Sequence, residues 1–172
     1  MIDLHTHSSM SDGTCTPEAL VDLALETGLG ALALTDHDSL AGIGRAADRA
    51  RGSRLVLVAG VEIEIACDTG EFHLLGLGLD GDRSELEAAL VGVRRDRGLR
   101  NARMADRLTA GGLPVGLGEL AAISGGGIVS RAHFARLLVQ KGVVKRTDDA
   151  FARYIGKGRP FYEPRRTLGL PE

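Results

Sequence analysis

Aromatic residues and cysteines are scarce in this chain of 172 residues, which has no tryptophan, two tyrosines and four phenylalanines. So few rings disfavour a stacking platform for single-stranded nucleic acid, because such platforms hold successive bases on aromatic side chains. The two cysteines, Cys15 and Cys67, lack CxxC spacing. We therefore expect reduced thiols in a cytoplasmic protein and not a disulfide scaffold.

An excess of charge of one sign is missing as well, since 21 basic and 23 acidic residues leave a formal net charge of −2. This balance gives no strong signature of nucleic-acid binding. The sequence also lacks an apolar run of about 18 residues and has no signal-peptide pattern at its start. No membrane partner is expected.

The first part of the chain alternates strand-like apolar runs with helical ones. The pattern predicts two helices, at 16–28 and 42–51, and four strands, at 2–5, 31–35, 55–63 and 72–77. This β-α-β-α-β order is typical of an α/β fold with a parallel sheet or barrel. From about residue 83 the pattern becomes helical, with predicted helices at 84–108, 118–124, 131–142 and 147–156.

Histidines and a glutamate collect at the ends of the predicted strands. His5 and His7 close the first strand, His37 follows the second, and Glu62 ends the third. Ligands gather at the carboxyl ends of strands in parallel α/β folds, and borderline metals prefer imidazole and carboxylate ligands. Glu62 could bridge two ions with its two oxygens. The sequence therefore predicts a multi-metal site and hydrolytic chemistry.

Two further candidates, Asp12 and His73, have weaker positions in the sequence. Asp12 lies on a predicted turn, where an Asx turn is the ordinary role of such a residue. His73 lies near the start of its strand, so either that strand is antiparallel or a loop brings the histidine round; both alternatives stay open. Asp36 and Asp38 flank His37, and a turn role is an alternative for both, favoured for Asp38.

Five short strings of the sequence, taken together, resemble the PHP (polymerase and histidinol phosphatase) family of metal-dependent phosphoesterases. They are DLHTH at 3–7, SDG at 11–13, LTDHD at 34–38, GVEI at 60–63 and FHLLG at 72–76. Two later strings, SRAHFAR at 130–136 and YIGKG at 154–158, are similar to a subgroup of bacterial 3′,5′-nucleoside bisphosphate phosphatases that includes 5′-to-3′ exoribonucleases.

The resemblance implies a distorted (β/α)7 barrel with a helical insertion and two to three divalent ions (Mn, Zn, Fe or Mg) at the barrel mouth. His5, His7 and Glu62 would hold one ion, Glu62 and His73 a second, and Asp12 and His37 a third. Glu62, His37 and Asp12 would also be catalytic residues. Arg131 and His133, from the insertion, would bind a substrate phosphate; for His133 a packing role at a helix start is the alternative.

Family members continue further and then supply an Ala-His-Pro histidine and an Asp-x-His pair, whereas no histidine follows His133 here. We therefore expect an incomplete barrel. Residues 1–82 would form its N-terminal part with the metal ligands, 83–165 the helical insertion or cap, and 166–172 the start of a return to the barrel.

The function implied by the resemblance is hydrolysis of phosphate from nucleotides, with 3′,5′-nucleoside bisphosphates as substrates, and 5′-to-3′ trimming of short RNA. The expected partner is thus a phosphorylated small molecule or a short oligonucleotide. One alternative is a non-catalytic metal-binding or interaction module, like PHP domains fused to polymerases. Another is histidinol-phosphate phosphatase, which is disfavoured by Asp12, where that branch often has histidine.

Overall fold

The elements up to residue 156 follow the predicted order, whereas the strand at 168–169 is not among the predicted elements. The computed structural model describes residues 1–67, 70–165 and 168–169. The strands are β1 (Ile2–Thr6), β2 (Ala31–Leu34), β3 (Val56–Cys67), β4 (Gly70–Leu77) and β5 (Leu168–Gly169). The helices are α1 (Pro17–Glu26), α2 (Ile43–Ala50), α3 (Ser84–Ala110), α4 (Leu117–Ser124), α5 (Arg131–Gln140) and α6 (Thr147–Ala150). A π-helical turn, Phe151–Ile155, continues α6, where the sequence predicts one uninterrupted helix.

The five strands form one sheet, in which β1 to β4 are neighbours in chain order. β1, β2 and β3 are parallel to one another, which confirms the predicted α/β fold with a parallel sheet. β4 runs antiparallel to β3, and β5 pairs in parallel with the later part of β3. Of the two alternatives for His73, the structure therefore shows the antiparallel strand. Such a strand starts at the sheet edge where its parallel neighbours end, so His73, near the start of β4, lies toward that edge.

A β-bulge in β1 lies where the histidines begin. Asp3 pairs with Leu32 and Thr6 pairs with Leu34, so β1 contains one residue more than β2 between these pairs. Bulges bend a strand and re-aim its side chains, often beside active sites. The bulged segment contains His5.

The chain forms two compact units, and each has its own apolar core. Unit 1 consists of Met1–Val93 with β5, and unit 2 of Arg94–Arg166. The principal cluster of unit 1 lies between α1, α2 and the sheet and includes Val21, Leu32, Leu34, Ala46 and Leu55. The cluster of unit 2 includes Met104, Leu108, Leu120, Phe134 and Leu138. Among the described residues, no helix has both the length and the apolar character needed to cross a membrane. The predicted boundaries 1–82, 83–165 and 166–172 stay predictions.

Candidate metal centre

The backbone that follows β2 is joined to β3 at the candidate site. An isolated parallel bridge pairs His37 with Glu62. The Asp38 N–H donates to the Glu62 carbonyl oxygen at 3.0 Å, and the Glu62 N–H donates to the Asp36 carbonyl oxygen at 3.3 Å. These hydrogen bonds fix His37 beside Glu62. The prediction that Glu62 ends its strand is wrong, because β3 continues to Cys67, where it pairs with β4.

Gly60 allows β3 to approach its neighbours closely just before Glu62. A Cβ atom at this position would lie 2.8 Å from Cγ2 of Thr35 and 2.9 Å from the carbonyl oxygen of Gly76. Both distances are shorter than carbon contacts in packed interiors allow. A glycine is therefore required where β3 carries Glu62 into the site.

The turn after β1 returns Asp12 to the histidines. The Gly13 N–H donates to the Ser8 carbonyl oxygen at 3.0 Å, and a Cβ at Gly13 would lie only 2.1 Å from the His7 carbonyl oxygen. This tight turn places one Asp12 oxygen 3.6 Å from Nδ1 of His7 and the other 3.7 Å from Nε2 of His37.

Glu62 lies at the centre of the site and is 2% exposed. Its Oε2 atom faces Nε2 of His7 at 2.9 Å, Nε2 of His5 at 3.2 Å and Nδ1 of His37 at 3.3 Å. Its Oε1 atom faces Nδ1 of His73 at 2.5 Å. The two oxygens of one buried carboxylate are thus directed at different histidines.

The pKa of Glu62 is lowered below its ordinary value. Burial acts to raise this pKa, but the positive field of His37 and hydrogen bonds from His5 and His73 outweigh it. The carboxylate is therefore held in its anionic form, the form that binds a cation. Imidazole nitrogens around an anionic carboxylate are a donor set that suits Zn, Mn or Fe, so the residues present fit a divalent ion.

All six predicted ligands lie together in the structure. They form three overlapping groups whose ligand atoms are within 4.8 Å of one another: His5–His7–Glu62, His7–Asp12–His37 and His37–Glu62–His73. The groups match the three sets that the family resemblance implies, except that His7 and His37 each belong to two of them. The metal roles of these residues stay predictions.

Asp36 has a different role from its neighbours in the site. It is 1% exposed, and its carboxylate accepts hydrogen bonds of 2.7 Å from the N–H and hydroxyl of Ser8 and from the hydroxyl of Ser11. Asp36 is therefore more than an ordinary turn residue, because its buried carboxylate accepts three hydrogen bonds from the turn after β1. Asp38 has a φ of +51°, which agrees with its predicted place in a turn.

Glu64 is a site residue that the sequence reasoning missed. It pairs directly with His73 across β3 and β4, and its Oε2 atom lies 3.9 Å from Nε2 of His73. The signal was the spacing from Glu62, because residues two apart on a strand share one face.

Arg131 and His133 belong to unit 2, at the start of α5. The guanidinium of Arg131 lies over the ring of Tyr162, 5.6 Å from its centroid. His133 is 1% exposed, and its Nδ1 accepts the Ser130 N–H at 3.0 Å. This contact is the helix-start role considered as an alternative for His133, while phosphate binding by both residues stays a prediction.

Comparison with known proteins finds relatives whose sequences are similar to nearly the whole of this chain. The 5′-3′ exoribonuclease Rnm of Escherichia coli is 38% identical over 164 residues, covering 94% of this chain and 56% of the relative. A 3′,5′-nucleoside bisphosphate phosphatase of Chromobacterium violaceum is 36% identical over 172 residues, covering 99% and 60%. The chain thus spans somewhat more than half the length of these relatives.

A solved structure shares the fold. An amidohydrolase from Chromobacterium violaceum, with bound sulfate and no metal, superposes with a TM-score of 0.88 at 36% identity, covering 98% of this chain and 60% of that one. The pattern of the PHP domain family matches residues 3–110, a segment that is more than half of the chain and contains all six candidate ligands. The chain belongs to the PHP domain family.

Proposed function

We propose that this protein is a metal-dependent phosphoesterase that removes phosphate from nucleotides, with 3′,5′-nucleoside bisphosphates as its substrate class. The observation that carries the proposal is the convergence of four imidazoles on the anionic carboxylate of Glu62. The substrate class is supported by the names of the two relatives, one a nucleoside bisphosphate phosphatase and the other a 5′-3′ exoribonuclease. We extend the proposal to 5′-to-3′ trimming of short RNA.

Different ligand residues would hold different ions of the centre. Divalent ions, when bound, would supply polarisation of a phosphoryl oxygen and activation of water. Glu62 would hold two of them through its separate oxygens, with His5 and His7 on one side and His73 on the other. Asp12 and His37 would hold a third. The ions would thus be held by residues in or just after the four strands β1 to β4 and by Asp12 on one turn.

Arg131 and His133 are proposed to orient a second phosphate of the substrate. The planar fork of a guanidinium matches two phosphate oxygens, and the Tyr162 ring restricts the plane of this guanidinium by a cation–π contact. This assignment explains why a substrate with two phosphates would be preferred over one with a single phosphate.

The direct test is a comparison of phosphate release from adenosine 3′,5′-bisphosphate, histidinol phosphate and a 5′-phosphorylated trinucleotide. The Mn²⁺-loaded protein should act fastest on the bisphosphate, and chelation should abolish the activity. Faster release from histidinol phosphate would favour the histidinol-phosphate alternative. Bound metal without turnover of any substrate would favour the non-catalytic module.

The phosphate role of Arg131 has a matched control in the same unit. Arg153 lies over the Tyr154 ring at 5.2 Å, so Arg153→Ala removes an equal charge and an equivalent ring contact. Arg131→Ala should raise KM for the bisphosphate about tenfold or more, because hydrogen bonds between charged groups contribute about 1.5–3 kcal/mol. Equal effects of the two substitutions would contradict the role of Arg131.

A further inference from the structure

We propose that Ser11 is a positioning residue for His7: anchored by Asp36, it holds the ring hydrogen of His7 on Nδ1 and thereby reserves Nε2 for a metal ion. The inference rests on the proposed function, because it takes His7 to be a metal ligand. It adds to the site a residue that is not itself a ligand.

The hydrogen-bond geometry fixes the direction of each contact. Ser11 is 1% exposed, and its Oγ lies 2.7 Å from Oδ1 of Asp36 and 3.2 Å from Nδ1 of His7. A carboxylate only accepts hydrogen bonds, and a hydroxyl has a single hydrogen to donate. The Ser11 hydroxyl therefore donates to Asp36, and its remaining capacity toward His7 is that of an acceptor.

It follows that His7 carries its hydrogen on Nδ1, where it donates to Ser11. The other ring nitrogen, Nε2, lies 2.9 Å from Oε2 of Glu62 and is the one left to offer a lone pair when a cation replaces its hydrogen. Nε2 is thus the ring nitrogen presented to an ion at the centre of the site. Which ring nitrogen binds a metal is commonly set in this way, by the hydrogen bond that the other nitrogen makes.

The same geometry assigns His7 to one of the two candidate groups that contain it. Nδ1 of His7 lies 3.6 Å from Oδ1 of Asp12, and a ligand role in the Asp12 group would need a lone pair on that nitrogen. With the Nδ1 hydrogen directed to Ser11, His7 is a ligand of the Glu62 group alone. Asp12 and His37 then form the other group without it.

Asp36 has two further contacts that do not involve Ser11. The N–H and the hydroxyl of Ser8 each donate to Asp36 at 2.7 Å, so the carboxylate keeps its orientation independently of Ser11. Ser8 also supplies a matched control: it is 0% exposed and donates to the same carboxylate at the same distance. The hydroxyl of Ser8 donates to Asp36 and accepts from the N–H of Met10.

The experiment compares Ser11→Ala with Ser8→Ala by titration of the metal-free protein with Zn²⁺ and with Mn²⁺. Loss of such a supporting contact typically weakens metal binding about 10–100-fold, and we expect a change of this size for Ser11→Ala. Ser8→Ala should stay within about twofold of the wild type, although both substitutions remove a buried hydrogen bond to Asp36. Equal affinities of the two variants would overturn the inference.

A second measurement needs no substitution. Long-range ¹H–¹⁵N correlation spectra of the Zn²⁺-loaded wild type should show the His7 hydrogen on Nδ1 and none on Nε2. A hydrogen on Nε2 would overturn the inference even if Ser11→Ala failed to fold. Failure of the proposed function is distinguishable, because a wild type that binds no divalent ion refutes the metal centre itself. Ion binding that Ser11→Ala leaves unchanged refutes only the role of Ser11.

Discussion

Asp36 and Glu62 are two buried residues of unit 1 whose backbones are hydrogen-bonded to each other. Their carboxylates have partners of different chemistry. The Glu62 N–H donates to the Asp36 carbonyl oxygen. Asp36 accepts its hydrogen bonds from an amide and two hydroxyls. Glu62 faces four imidazoles.

The chemistry of the partners, and not burial, distinguishes the two carboxylates, which are 1% and 2% exposed. Amide and hydroxyl donors satisfy a buried carboxylate by hydrogen bonds. Neither group readily releases its hydrogen to make room for a cation. An imidazole has both a removable hydrogen and a lone pair, so a shell of imidazoles can give up hydrogens and accept a cation. Glu62 is therefore suited to a metal centre, and Asp36 to the framework that supports it.

The comparison is tested most strongly by Glu62→Gln, which keeps the shape of the side chain but removes its charge. We expect loss of metal and a fall in phosphatase activity of roughly a thousandfold or more, because bound ions supply several kcal/mol and each 1.4 kcal/mol is a factor of ten. The measurements are metal content by mass spectrometry and kcat/KM on the bisphosphate. A variant with full metal content and activity would contradict the bridging role.

Asp36→Ala should mainly lower the stability of the fold, in contrast to Glu62→Gln. It leaves the buried hydroxyl and amide donors of Ser8 and the hydroxyl of Ser11 without their acceptor, and we expect the free energy of unfolding to fall by about 3 kcal/mol. Urea denaturation with chelator present isolates this effect from metal binding. Under the same conditions Glu62→Gln should change stability much less; the opposite order would reverse the assignment of the two residues.

Metal removal sharpens the same contrast in the wild type. A ligand at 100 times its Kd stabilises the folded state by about 2.7 kcal/mol, so chelation should lower the Tm of the metal-loaded protein measurably. Glu62→Gln should show no such shift. A chelator-dependent Tm in that variant equal to that of the wild type would mean that the ions bind elsewhere.

The order of strands and helices could be predicted from local pattern, and so could the six candidate ligands. Strand and helix periods are local features, and the carboxyl ends of parallel strands collect ligands whatever the details of packing. His37 and Glu62 illustrate this, since one follows β2, the other lies in β3, and a backbone bridge joins them.

What could not be predicted depends on register and on the direction of hydrogen bonds. Glu64 meets His73 only because β3 continues to Cys67 and pairs with β4 in a particular register. The predicted strand ends at residue 63, so the two-residue spacing from Glu62 does not by itself place Glu64 on the strand. The Ser11 contact to His7 depends on the turn closed at Gly13. Serine is ordinary in turns, so nothing in its type distinguished it.

A third carboxylate, Glu18, extends the comparison to the surface, where the smallest effect is expected. Its two oxygens accept from Nε and Nη2 of Arg45 at 2.6 and 2.8 Å. The hydrogen bond from Arg45 lowers the pKa of Glu18 from 4.5 to about 2. A folded-state pKa below the ordinary value stabilises the fold above about pH 4.5, and this contribution is lost as the pH falls toward 2.

Glu18→Gln should therefore lower stability slightly at neutral pH, because exposed ion pairs contribute little. The difference from the wild type should shrink as the pH falls below about 4.5. Urea denaturation at several pH values measures this, with Glu26→Gln, at the exposed end of the same helix, as a charge-matched control. A difference that grows on acidification would have the wrong sign. It would show that the Glu18–Arg45 pair does not hold the carboxylate in its charged form, as the imidazoles do for Glu62.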